Sequence, residues 1–189
     1  MTTSARPERF TVEHRAVLAL GSNLGDRAAL ITSAVEALSA DPGIRVDVLS
    51  PLYETPALKP EGISAEAPSY LNAVALVHTI LDPHRLLRSV NSIEERLGRV
   101  RLEHWGDRTI DIDIIDYDSR TLDDPDLTLP HPRAHERAFV LVPWRDVEPG
   151  AYVVGRGAVS DLAEKTHDPI TLWQSGAEPE ISATQAGTA

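Results

Sequence analysis

The chain of 189 residues contains no cysteine, which excludes disulfides, zinc thiolate centres and thiol catalysis. It also lacks any long apolar run. Stretches such as Ala16 to Leu20 are far too short to cross a bilayer. The opening residues, Met1 to Arg15, are polar and have no apolar signal core, which predicts a cytoplasmic protein. Positive charge is scarce: 18 basic residues against 29 acidic ones leave a formal net charge of −11. That balance predicts no general nucleic-acid or membrane partner. Lysine occurs only at Lys59 and Lys165, so arginine carries the basic charge. Arginine suits bidentate phosphate binding, although a codon bias would give the same excess.

What is present is an ordinary globular composition, 42% hydrophobic and 25% charged, at a length for which one domain is the default. One domain is expected over residues 14–173. A flexible segment (1–13) should precede it, and a small-residue, polar and disordered tail (174–189) should follow.

Ala16 to Leu20 reads as a buried strand running into the turn Gly21-Ser22-Asn23-Leu24-Gly25-Asp26-Arg27. A helix follows, with Leu30, Ile31, Ala34, Val35 and Leu38 at helical spacing and either Asn23 or Asp26 as its cap. Asp41-Pro42-Gly43 stops it. Ile44, Val46 and Val48 alternate with polar residues as in a half-buried strand, and Pro51 marks that strand as an edge or a bulge. Thr55 to Ser69 reads as one long loop. Tyr70 to Thr79 is a third strand. Asp82-Pro83 opens a second helix, with a stripe of Leu86, Val90, Ile93 and Leu97 and a stop at Gly98. Thr109 to Tyr117 is a fourth strand. The order βαββαβ predicts an α+β, ferredoxin-like core with both helices on one face of an antiparallel sheet. A turn at Leu122 to Leu127, an apolar stretch from Phe139 to Trp144, a C-terminal hairpin and a short helix near Ala158 to Lys165 complete it.

The segment from Trp105 to Ile115 carries the most chemistry. Along a strand, Ile110, Ile112 and Ile114 share the core face while Asp111 and Asp113 share the other. Their Cα atoms would lie about 7 Å apart, close enough for both carboxylates to reach one divalent cation or a close pair. Mg²⁺ takes a few carboxylates plus phosphate oxygens and water. The plain alternative is an acidic strand face meeting water. Against it, like charges on one strand face repel unless a cation lies between them. Arg96, Arg99, Arg101 and Arg108 also lie immediately upstream, with Arg133 and Arg137 as a second pair. Those arginines could hold a compact anion or simply form a solvated face.

Gly21 to Arg27 matches neither the G-x-x-x-x-G-K-[ST] nor the G-x-G-x-x-G pattern, so it reads as a structural turn. His131, held between Pro130 and Pro132, could donate to a phosphate or merely pack in its loop. Asn72, on the face of Tyr70, offers a donor and an acceptor to a heterocycle. Trp105 and Phe139 could sandwich a flat ring or fill the core. Glu94 lies near the arginines and could pair with Arg101 or contact a substrate.

Taken in order, Gly21 to Gly25, Tyr53-Glu54-Thr55-Pro56, Tyr70-Leu71-Asn72-Ala73, Gly98-Arg99-Val100-Arg101, Trp105 to Asp113, Leu129-Pro130-His131-Pro132 and Arg137-Ala138-Phe139 resemble the 6-hydroxymethyl-7,8-dihydropterin pyrophosphokinases of the folate pathway. The resemblance implies transfer of pyrophosphate from ATP to the pterin hydroxymethyl oxygen, with two Mg²⁺ ions and AMP as the second product. It implies that Asp111 and Asp113 hold the metals and that Asp113, or a water near it, helps accept the hydroxyl proton. Arg99 and Arg108 would sit on the phosphates during transfer, with Arg101, Thr128, His131 and Arg137 steadying ATP. Thr55, Pro56, Leu58, Tyr70, Asn72, Trp105 and Phe139 would form the pterin pocket, and the long loops would act as lids. A monomer is expected. The chain departs from the family pattern at Asp107, at Lys59, at Asp126 and in the lengths of two loops. A nucleotidyl-transfer palm domain and a ferredoxin-like binding module are the rival readings. The first would need a basic track, and the second has no use for an aligned Asp pair beside four arginines.

Overall fold

The computed structural model describes residues 12–59, 62–64, 67–98 and 109–174. In chain order, the core elements are β1 (His14–Ser22), α1 (Arg27–Ala40), β2 (Ile44–Leu49), β3 (Tyr53–Thr55), β4 (Ala57–Lys59), β5 (Gly62–Ser64), β6 (Tyr70–Thr79), α2 (Pro83–Arg96) and β7 (Asp111–Tyr117). After them come β8 (Leu122–Asp123), β9 (Thr128–Leu129), a 3-10 turn (Ala134–Glu136), α3 (Ala138–Val147), β10 (Tyr152–Val153), β11 (Gly157–Ala158), α4 (Val159–Lys165) and β12 (Thr171–Leu172). The expected disorder of the tail falls outside the described residues, as does nearly all of the expected flexible N-terminal segment.

β1 lies between β6 and β7 and is antiparallel to both, and β2 pairs antiparallel with the far side of β6. The order β7-β1-β6-β2 is that of two interleaved split βαβ units, the ferredoxin-like arrangement. β3 continues the β2 edge by pairing with the start of β6, and β12 pairs outside β3.

The period-2 alternation of β1 divides the core in two. Ala16, Leu18 and Leu20 face α1 and α2, where Ile31, Leu38, Leu86, Val90 and Ile93 close a large apolar cluster. Val17 faces the opposite way, and with Val74 and Ile115 it is covered by α3 and α4 through Val140, Leu141, Trp144 and Val159. The two helices of the βαββαβ core thus share one face as expected, and the C-terminal helices add a second layer behind the sheet.

Local chemistry explains the boundaries. Asp26, not Asn23, caps α1: its Oδ1 accepts from the Ala29 N–H at 3.0 Å. Asp82 caps α2 in the same way through the Arg85 N–H at 2.9 Å, with Pro83 in the first turn. Beyond α2, Gly98 takes φ +85°, a left-handed conformation that suits glycine.

Two local expectations change, and one stretch left unassigned is resolved. The stretch from Thr55 to Ser69 is not one loop, because β4 and β5 pair within it as a small hairpin. In β2 the ladder register shifts between Val46 and Val48. That bulge breaks the alternation, so Val48 is 37% exposed rather than inward-facing. The apolar stretch after Phe139 is a helix, α3, despite Pro143 inside it.

Candidate active site

α3 and α4 cover only part of their face of the sheet. Where they stop, the floor is built from rows set by strand register. One row runs Asp113, Ala19, Val74, and the next runs Asp111, Gly21, Asn72, Tyr53. Ala19 and Gly21 keep the centre of this floor low. A Cβ added at Gly21 would stand 3.3 Å from Asn72 Oδ1, so a side chain there would crowd the amide.

A cleft of about 350 Å³ stands on this floor, walled by Thr55, Pro56, Tyr70, Arg137 and Phe139. Asn72 is 4% exposed, and its Nδ2 donates to Thr55 Oγ1 at 3.0 Å, which fixes the orientation of the amide. The Arg137 guanidinium lies 5.4 Å from the centre of the Phe139 ring, within cation–π range. The turn after β1 braces one rim. Arg27 donates to Glu54 Oε1 at 2.6 Å and to Ser69 O at 2.8 Å, joining that turn to the strands that present Thr55 and Tyr70. Burial works to raise the Glu54 pKa, but the Ser69 hydroxyl and Arg27 hold it below the usual glutamate value. The glycine-containing turn therefore braces the rim through Arg27, while Gly21 at its start lies on the cleft floor.

A second cleft, of about 630 Å³, lies against the outer side of β7. His84, Arg88 and Asn91 of α2 form one wall, and Asp126, Thr128 and His131 form the other. Asp113 lines both clefts. Asp113 thus stands where a cleft walled in part by Pro56, Tyr70 and Phe139 meets a more polar one. Ile110, Ile112 and Ile114 are buried behind it, and Asp111 and Asp113 are half-exposed on the opposite face, as the strand period predicts.

His131 is fixed by its own backbone, whose N–H donates to Ile115 O at 2.9 Å. Its Nδ1 accepts from the Arg133 N–H at 3.3 Å, so Nε2 carries the proton of the neutral ring. Burial, reinforced by Arg137 and Arg133 and opposed by Asp111, pushes its pKa down to about 4. The ring is a neutral donor at physiological pH.

Of the residues singled out in the sequence, Thr55, Pro56, Tyr70, Asn72, Asp111, Asp113, Arg137 and Phe139 come together at the first cleft, and Thr128 and His131 at the second. Arg99, Arg101, Trp105, Asp107 and Arg108 lie outside the described residues, and for Leu58 only the backbone is described. Glu94 lines neither of these two clefts, and Arg101, its expected partner, lies outside the described residues. Glu94 is 1% exposed, and its Oε1 accepts from the Ile112 N–H at 2.6 Å. Sequence reasoning missed His84, Arg88 and Asn91, whose i, i+4 and i+7 spacing places them on one side of α2. Arg133, singled out with Arg137 for its charge, also lines the first cleft, and sequence reasoning missed Glu136, Asp168 and Pro169 there. Only the fold could reveal the last two, because β12 carries them back against β3.

Among the described residues no helix is long and apolar enough to cross a membrane. A family model for 7,8-dihydro-6-hydroxymethylpterin-pyrophosphokinase matches residues 17–149. The 2-amino-4-hydroxy-6-hydroxymethyldihydropteridine pyrophosphokinase of Methylorubrum extorquens is 46% identical over 150 residues, 79% of this chain and 92% of that protein. The Bacillus subtilis protein of the same name is 36% identical over 159 residues, 84% of this chain and 90% of its own length. Among solved structures, the wild-type HPPK-DHPS of Plasmodium falciparum with pterin and p-hydroxybenzoate shares the fold at a TM-score of 0.65 and 19% identity. That match covers 83% of this chain but only 44% of the Plasmodium chain, so this chain spans less than half of that structure's length. With the carboxylate pair, the two joined clefts and these relatives in agreement, the chain belongs to the 7,8-dihydro-6-hydroxymethylpterin-pyrophosphokinase family.

Proposed function

We propose that this chain, acting as a cytoplasmic monomer, uses Mg²⁺ and ATP to pyrophosphorylate the hydroxymethyl oxygen of 6-hydroxymethyl-7,8-dihydropterin. Its family membership makes it a pyrophosphokinase of folate biosynthesis. The observation that carries the finer reading is that Asp113 lines both clefts, so a group held in one can meet a group held in the other at that carboxylate.

The donor set fits a hard cation. Asp111 and Asp113 present only carboxylate oxygens. Among the described residues no cluster of three or more His, Cys, Asp or Glu is placed to hold a metal by itself. A metal that arrives with phosphate and water ligands suits such a pair, and that is the habit of Mg²⁺. Bound there, it would neutralise phosphate charge during transfer.

The chain's own groups supply the remainder. Phe139 and Tyr70 offer apolar walls to the pterin ring, and the fixed amide of Asn72 offers its oxygen to a ring N–H or amino group. His131 can donate from Nε2 to a phosphate oxygen without titrating near neutral pH. Arg99, Arg101, Arg108 and Arg137 would steady the polyphosphate, and Trp105 would cover the pterin opposite Phe139. The hydroxymethyl oxygen forms a bond to the β-phosphorus. The bond from that phosphorus to the α,β-bridging oxygen breaks, its electron pair leaves with AMP, and Asp113 or a water beside it takes the hydroxyl proton. Transfer of this kind needs positioning and charge neutralisation more than covalent help.

The test is to incubate the protein with ATP, Mg²⁺ and the pterin and to identify the nucleotide product. AMP formed only with both pterin and metal is the expected result. ADP would mean ordinary kinase chemistry, and no turnover by folded protein would overturn the proposal.

A further inference from the structure

The two walls of the second cleft are held by different means. α2 is anchored along its length, because Leu86, Val90 and Ile93 are buried in the large apolar cluster. The facing wall is carried by a much smaller element. β8 and β9 pair through two residues each, Leu122 with Leu129 and Asp123 with Thr128. A two-stranded ladder of that size is marginal by itself. Leu127 and Leu129 fasten its inner side to the same cluster, whereas Pro125 and Asp126 at its tip are exposed.

A side-chain bond crosses from one wall to the other. His84 Nε2 donates to Asp124 Oδ2 at 2.8 Å. The Asp82 cap and Pro83 set His84 in the first turn of α2, where it lines the cleft. Asp124 directly precedes Pro125 and Asp126, which line the cleft from the other side. A carboxylate accepts, so the bond needs a hydrogen on Nε2 and is open to the neutral ring as well as the charged one. Both side chains are half-exposed, and a pair so placed adds little to global stability.

The place of the bond along the cleft gives it a more specific use. α2 and β7 run side by side in opposite senses: Glu94 meets the Ile112 N–H, while Leu81, just before α2, accepts from the Tyr117 hydroxyl. His84 therefore marks the end of the cleft away from Asp113. From His84 to Asn91 the helix rises about 10 Å, which leaves room for a nucleoside between the bond and that carboxylate.

We propose that His84 and Asp124 are positioning residues for the nucleotide: their bond holds the β8–β9 tip against α2 and fixes the width of the cleft at its nucleoside end. The role rests on the reading that ATP occupies the second cleft with its transferred phosphorus near Asp113. The alternative is a surface pair with no bearing on the cleft.

Binding without turnover separates the two. The probe is Mg²⁺ with α,β-methylene-ATP, an analogue whose scissile linkage is inert, titrated calorimetrically into the full chain. His84→Ala and Asp124→Ala should each raise its Kd about fivefold, the upper scale of one exposed pair. The double variant should be no weaker than either single one, because the same bond is lost once. His84→Gln places an amide N–H close to where Nε2 lies. Since the role needs a donor and not a charge, this variant should stay within about twofold of the wild type. The KM for the pterin should move by less than about twofold in every variant, because the first cleft is untouched. Wild-type affinity in both alanine variants would overturn the proposal, as would additive losses in the double variant or an equal loss for the pterin. A fivefold defect in His84→Gln would overturn the hydrogen-bond account. Should one alanine variant not fold, the other and His84→Gln decide. No binding of the analogue by the wild-type protein would instead overturn the reading of the second cleft, and this proposal with it.

Discussion

At the scale of single residues, the candidate site divides into groups that meet ligand and groups that hold charge in place. Asp113 belongs to the first kind. It is half-exposed and lies off the core, so Asp113→Ala should leave the melting temperature nearly unchanged. Turnover should fall by about a thousandfold, the scale of removing a principal electrostatic contact to a transition state. Steady-state kinetics with a thermal melt checks both. His131 belongs to both kinds. Its pKa is lowered from 6.5 to about 4, so as pH falls the unfolded chain takes up the proton first. The stability it contributes is present above the unfolded value and is lost as pH drops toward the folded one. The His131 ring resonances of the metal-free protein should stay constant from neutral pH down to well below the usual imidazole value. A titration centred near 6.5 would contradict the burial that lowers it.

Asp116 is a different case, remote from chemistry. It is 4% exposed, its Oδ2 accepts from the Ser119 N–H at 3.0 Å, and its Oδ1 has no hydrogen-bond partner among the described residues. Burial raises its pKa. Ser119 and Arg15 oppose the rise, while Glu148 and Asp118 add to it. A raised folded value means that the stability is full below the unfolded pKa and is lost as pH climbs through the folded one. Asp116→Asn should therefore melt a few degrees higher than the wild type at pH 8, consistent with roughly 1 kcal/mol in a domain of this size. The gain should vanish in acid. No sequence pattern announces this residue, because its burial comes from the register shift opposite Val17 and Leu18.

At the scale of elements, legibility followed the amount of local information. Asp82, Pro83 and Gly98 mark both ends of α2, and its apolar stripe repeats at helical spacing, so it could be read directly. α3 could not. The stretch from Ala138 to Trp144 is continuously apolar, so its pattern does not separate a helix from a strand, and Pro143 lies inside it. The β4–β5 hairpin and the β2 bulge depend on partner strands, which no short window of sequence contains. The same reasoning gives a prediction for α2. Gly98 has φ +85°, and its would-be Cβ meets nothing within 4 Å among the described residues, so the cost expected of Gly98→Ala is backbone strain. About 1 kcal/mol and a fall of a few degrees in melting temperature are expected, with Gly98→Asn recovering part of the loss. An unchanged melting temperature would show that the helix end relaxes freely.

At the scale of the whole molecule, the site exists because two layers of helix cover the sheet unequally. α1 and α2 cover one face through the large apolar cluster, while α3 and α4 cover the other only as far as Val17 and Val74. The carboxylate pair was readable from strand period, and the proposed pterin-side residues only through the family resemblance. What closes the cleft was not, since Asp168 and Pro169 lie beyond the residues matched by the family model and return only through β12. Trp173 N–H donates to Leu52 O at 2.9 Å and helps to pin that return. A chain ending at Lys165 should keep the β7-β1-β6-β2 core of the sheet but lose β12 and this wall. Its KM for the pterin should rise about tenfold, or about 1.4 kcal/mol, with a smaller change for ATP. Equal KM values for both chains would show that the wall is passive.

The low floor formed by Ala19 and Gly21 also bears on drug resistance. A compound resting on those two residues would contact positions where larger side chains intrude on Asn72 or fill the space that the proposed pterin ring would need. Escape mutations there would injure the enzyme along with the inhibitor. A compound reaching outward to Asp168 or Glu136 would touch residues at the rim, where substitution is cheaper for the organism. Inhibitors kept deep and small should therefore hold their potency longer than larger ones that lean on the rim.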